Sequence, residues 1–202
     1  MSRIVLIVIM ASLVAGCAVG RKQEFGSARV DVSTTSKTIN VAVLDHRSYV
    51  VNHDKNETFT GLSRGGFGNP FDVNTKSGQP LASDMANALA ASLREKGATV
   101  NIVTLPPSTS DADAMARLAT PGGKGLLVEL VEWKSDKYMR TKLGFNVRAF
   151  VIDPSGRSLG DSRVEGEDDL GRGMTNMDTA PVTSFGQKMQ QLLADPAVAG
   201  QL

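Results

Sequence analysis

Lys142-Leu143-Gly144-Phe145-Asn146-Val147-Arg148-Ala149-Phe150-Val151-Ile152 places Leu143, Phe145, Val147, Ala149 and Val151 on one face of an extended strand. Asp153-Pro154-Ser155-Gly156 follows, with Pro and Gly to supply turn geometry, and Ser158–Asp168 reads as the returning strand of a hairpin. Upstream, Gly125–Trp133 is a third strand. Downstream, Val182, Phe185, Met189, Leu192 and Leu193 recur at helical spacing within a helix from about Thr179 to Ala194.

Further upstream the punctuation is clear. Leu81, Met85, Leu89 and Leu93 stand four apart between Pro80 and Gly97, which predicts a helix over Leu81–Lys96. A strand, Ala98–Leu105, ends at Pro106-Pro107, and Ser110 with Asp113 caps a short helix near Asp111–Ala119. The first clear strand is Ile39–Asp45. This order predicts one α+β domain over 38–202, a two-layer sandwich with a mainly antiparallel sheet and helices packed on one face.

Between His46 and Gln79 no periodicity is visible, and the stretch reads as a long irregular loop, of the kind that carries function or lacks order. Its Gly65-Gly66-Phe67-Gly68-Asn69-Pro70 is neither a P-loop nor a dinucleotide fingerprint, since no Gly-Lys-Ser/Thr or GxGxxG leads into a helix. Phe59, Phe67 and Phe71, with Leu62, are unusual for a linker in a chain with 5% aromatic residues. They either fold back on the core or form a patch for a partner, and Arg64, Phe67 and Phe71 are the candidate partner-binding residues.

Other polar groups have bland readings beside their chemical ones. His46 and His53, near Asp45 and Asp54, match no ligand spacing, so no metal or other cofactor is expected. Asp45 and Arg47 share one face of an extended strand and read as a structural ion pair. Trp133 and Tyr138 among Lys134, Lys137, Arg140 and Lys142 read as a solvated hairpin tip with Trp133 partly buried, against the alternative of aromatics and cations that hold a glycan or peptide acid or stack a base. No catalytic residue is assigned: no Ser-His-Asp order and no HExxH occurs.

The N-terminus speaks to address. Arg3 precedes the apolar run Ile4–Met10 and then Ala11–Gly16, the layout of a secretory signal over residues 1–16, too short to span a bilayer. Val14-Ala15-Gly16-Cys17 resembles the lipobox of bacterial lipoproteins. That resemblance implies cleavage between Gly16 and Cys17 and a diacylglycerol thioether on Cys17. Cys17 is the one cysteine of the chain, so an internal disulfide is excluded and lipidation consumes the thiol. Ala18 in place of Asp favours, by analogy with sorting signals, the outer membrane and a periplasm-facing domain. Residues 17–37 read as the lipidated N-terminus and a flexible tether.

The precursor carries 22 basic and 21 acidic residues, and loss of Arg3 with the signal leaves 21 against 21. That balance excludes a nucleic-acid partner held by counterion release. Asp45-His46-Arg47 after the first strand, the helix ending in Gly97 before a strand, the three-strand region and the C-terminal amphipathic helix together resemble the YajG-type envelope lipoproteins. The resemblance brings no assigned catalytic activity to carry over. The expected function is a non-catalytic binding or assembly module, held to the membrane by its lipid and working with an envelope protein partner. The alternatives are an auxiliary subunit of an envelope transport or secretion complex, and a cell-wall hydrolase using carboxylates.

Overall fold

The computed structural model describes residues 21–173 and 175–202. The expected signal peptide, the expected Gly16–Cys17 cleavage and the expected lipidation at Cys17 lie outside the described residues. In chain order the elements are β1 (Lys22–Gln23), a 3-10 turn (Phe25–Ser27), β2 (Thr38–Asp45), α1 (Ser48–Val51), β3 (Phe59–Arg64), β4 (Pro70–Thr75), α2 (Leu81–Glu95), β5 (Thr99–Ile102), α3 (Asp111–Leu118), β6 (Lys124–Lys137), β7 (Thr141–Ile152), β8 (Ser158–Asp169), α4 (Thr175–Leu193) and α5 (Pro196–Ala199).

β6 organises the sheet. Along its whole length one edge pairs antiparallel with β7, which pairs antiparallel with β8. Its other edge is shared. Lys124–Leu130 pairs in parallel with β2, which carries β5 beyond it. Past a register shift near Leu130, Ser135–Lys137 pairs in parallel with β3, which carries β4 and then β1. Of the seven pairings four are parallel, so the mainly antiparallel expectation is corrected to a mixed sheet in a mixed α/β domain.

Strand alternation sends Val41, Val43, Leu126, Val128, Val147 and Ala149 into a core with α2 and α4. The intervening Ala42, Leu44, Leu127 and Phe150 meet Ala114 and Leu118 of α3 in a second cluster on the other face. Helices therefore cover both faces, and the two-layer, one-face expectation is corrected as well. The reason lies in β2 and the first half of β6, which are apolar at consecutive positions, as strands covered on both sides must be.

The terminal signals of the helices act as read. Pro80 caps α2, and Gly97, at φ 91°, lets the Ala98 N–H return to the Leu93 carbonyl at 3.2 Å. The Ser110 hydroxyl accepts from Asp113 N at 3.2 Å and starts α3.

Two stretches differ from expectation. The flexible-tether expectation for 17–37 does not hold over the described residues 21–37: Phe25 is fully buried, and Ala28, Val30 and Val32 alternate into the helical face of the core. Val30 N donates to Ser92 Oγ at 3.1 Å, and Gly186 of α4 has no Cβ because one would stand 2.5 Å from the Arg29 carbonyl oxygen. The stretch 46–79 is ordered rather than irregular, with α1 and the β3–β4 hairpin. Its inward positions include Thr60, Ser63 and Thr75, so polar residues occupy the sites where an apolar period would have revealed strands.

Candidate functional site

Three constellations merit chemical scrutiny. The first sits where β6 changes partners. β2 leaves the β6 edge after Asp45 and β3 joins it at Ser135, so intervening backbone groups of β6 lack a ladder partner. Arg47, fully buried, fills the fork. Its Nε and Nη2 donate to the two carboxylate oxygens of Asp45 at 2.7 and 2.6 Å, while Nη1 donates to the carbonyls of Phe59 at 2.7 Å and Trp133 at 3.2 Å. Tyr49 Oη adds a bond to the Trp133 carbonyl at 3.1 Å. The expected Asp45–Arg47 ion pair is thus present, and its sealed position makes it a joint of the sheet rather than a surface on which substrate could act. Gly61 serves the same joint, since a Cβ there would lie 2.2 Å from the Ser135 carbonyl oxygen.

The second constellation is around His46. Nδ1 lies 2.8 Å from Glu129 Oε1 and 3.6 Å from Asp111 Oδ1, and Nε2 lies 2.8 Å from the Thr109 carbonyl oxygen. Arg148 Nη1 donates to Glu129 Oε2 at 3.0 Å and stands 3.8 Å from Asp111. Both ring nitrogens face acceptors, so both bonds are made only by the imidazolium. Burial pulls the His46 pKa down, but the hydrogen bonds and charges of Glu129, Thr109 and Asp111 outweigh it and raise the value above the usual one.

His46, Asp111 and Glu129 offer ligand atoms within 4.8 Å of one another. A divalent ion entering there would share Glu129 with the Arg148 guanidinium, which holds the other carboxylate oxygen and opposes it by charge. His53 and Asp54 take no part: His53 is exposed at φ 62°, and Asp45 is spent on Arg47. Two cations and two carboxylates balance here, with neither imidazole nitrogen offered to a substrate.

The third constellation is one end of the sheet. In the parallel β3–β6 register Ser63 lies opposite Lys137, so both strands reach their turns at the same level. The β3–β4 turn is closed by Gly65 N to the Asn69 carbonyl at 2.9 Å and Gly68 N to the Gly65 carbonyl at 2.8 Å, with Gly68 at φ 82°. Beside it the β6–β7 turn carries Tyr138, Met139 and Arg140 between the paired Lys137 and Thr141. Arg64 ties the two hairpins, donating from Nε and Nη2 to Asp136 at 2.8 and 2.6 Å. Phe67 is 98% exposed, Met139 74% and Tyr138 54%, the three most exposed large apolar side chains among the described residues. All three stand at this end.

Of the predicted trio, only Phe67 projects freely. Arg64 is engaged within the chain, not held for a partner's acid. Phe71 is half-buried and leans on its own turn, where a Cβ on Gly65 would meet its ring at 3.2 Å. Trp133 is fully buried, not partly, and packs edge-on against Phe25 and Phe185 at centroid distances of 6.3 and 6.1 Å. Met139 lies outside the residues singled out from the sequence. Its signal is a large apolar residue in a turn between two alternating strands.

No family model matches the chain, and no curated protein is significantly similar to it. Among solved structures, protein XCC0632 from Xanthomonas campestris, described under the family model DUF330, superposes with a TM-score of 0.53 at 12% identity, over 91% of this chain and 96% of that one. An uncharacterised protein gives 0.44 at 10% identity over 85% and 95%. The hypothetical protein CT253 from Chlamydia trachomatis gives 0.44 at 12% over 78% and 92%. The first likeness shows a shared fold and nothing about activity.

Proposed function

We propose that the chain is an envelope lipoprotein, anchored through Cys17 in the outer membrane and facing the periplasm. In this reading it acts by binding rather than catalysis, with the two adjoining hairpin turns as its contact surface. The observation that carries the reading is the convergence of Phe67, Tyr138 and Met139 on one end of the sheet. Exposed large apolar groups cost solubility and mark contact sites when they cluster. The self-neutralised surroundings of His46 weigh against the hydrolase alternative.

The test is photocrosslinking in living cells, with a photoreactive amino acid at position 67 or at Leu159 at the other end of the β7–β8 pair. Adducts to an envelope component are expected from position 67 and not from 159. Equal yields from both positions would contradict the assignment of the contact surface.

A further inference from the structure

The end of the sheet that carries the turns is also the end toward which β1 points when followed back to Arg21. β1 is parallel to β4, with Lys22 opposite Asn74 and Gln23 opposite Thr75. β4 itself starts at the turn, at Pro70, four residues before Asn74. Followed backward from Lys22, the chain therefore heads toward the turn. Arg21 is fixed there twice, through its carbonyl to Asn74 N at 3.3 Å and through Nη1 to Asp178 at 3.0 Å. Cys17 is four residues before Arg21. A fully extended chain covers roughly 3.6 Å per residue, so the Cα of Cys17 can stand no more than about 14 Å from that of Arg21. The strand from Asn74 back to Pro70 covers roughly 13 Å at 3.3 Å per residue. An anchor at Cys17 can thus reach the level of the turns and scarcely beyond them.

We infer that Phe67, Tyr138 and Met139 dip into the surface of the same bilayer that holds the Cys17 lipid, fixing the domain's orientation on the membrane. This inference rests on the anchored reading and names the occupant of its contact surface. The chemistry suits a lipid interface. A phenyl ring and a thioether enter the acyl boundary, and a phenol sits at headgroup depth with its hydroxyl wet. Three cations of this end are neutralised within the chain, Arg64 by Asp136, Arg140 by Asp169 and Lys142 by Glu167, and Lys134 and Lys137 beside them are too few for a polybasic patch. Insertion is therefore apolar in origin, and zwitterionic lipid is sufficient for it.

The experiment uses the full chain, processed in cells, purified from membranes and reconstituted in phosphatidylcholine vesicles. Intact mass is read first. An unacylated Cys17 overturns the anchored reading and this inference with it. On acylated protein, Phe67→Trp adds a second tryptophan to Trp133, which is buried and serves as the internal reference in the parent. Brominated phosphatidylcholine is expected to quench at least half of the added emission while leaving the parent's unchanged. Added emission that is red-shifted and unquenched overturns the inference alone, and leaves the turns to a protein partner. Quenching that appears only when phosphatidylglycerol is included overturns the apolar origin assigned to insertion.

Discussion

Asp45 and Arg47 show how much one dipeptide spacing can decide. Removing one member of a buried pair leaves the other charge uncompensated, at a cost of about 3–5 kcal/mol. Asp45→Ala is therefore expected to destabilise the domain by that amount in denaturant melts, and Asp45→Leu with Arg47→Met to cost less than Asp45→Ala alone. His46 makes a pH-dependent prediction. Its folded pKa is raised, so its stabilisation is complete below about 6.5, the ordinary value, and is lost as pH rises through the folded pKa. Melting temperature measured from pH 5 to 9 is expected to lose this contribution on the alkaline side in the parent, and His46→Gln is expected to remove that fall. The ion pair was legible because its partners stand two residues apart. The His46 cluster was not, because Asp111, Glu129 and Arg148 reach it from α3, β6 and β7, and no spacing along the chain encodes that meeting.

Elements with strong periodicity were legible in the sequence, and those held by lateral pairing were not. α2 shows its apolar stripe four residues at a time, and Leu81, Met85, Leu89 and Leu93 are all fully buried. Leu89→Ala is expected to cost about 2–5 kcal/mol in a denaturant melt, the range for truncating a buried Leu. A loss under about 0.5 kcal/mol would contradict its burial. β3 and β4 carry no such stripe. Their inward side chains are largely Thr and Ser, and their stability comes from ladders to β6 and to each other. Mixed pairing was hidden for a similar reason: alternation reports which face a residue takes, not which strand runs beside it. Only the β7–β8 hairpin announced its direction, through the turn at Asp153–Gly156, where the Asp153 carboxylate accepts from Ser155 and Arg157 and is held well below the usual carboxylate range.

At the scale of the molecule, the mixed sheet explains why the proposed contact surface and the start of β1 fall at one end. β6 is long enough to carry two parallel units on one edge, and the second unit, β3–β4–β1, brings the hairpin turn and the start of the domain to the same end. The glycine- and phenylalanine-rich stretch was legible as a candidate contact region; Tyr138 and Met139 stand beside it only through the parallel β3–β6 register. The proposed address, by contrast, rests on Arg3 to Cys17 alone and owes nothing to the fold. The central proposal, a lipid-anchored module, is tested most directly by intact-mass spectrometry of the mature protein from purified outer membranes. The account predicts an N-terminus at Cys17 with a diacylglycerol on its sulfur. A chain that retains residues 1–16, or begins at another residue with no acyl mass, would contradict it.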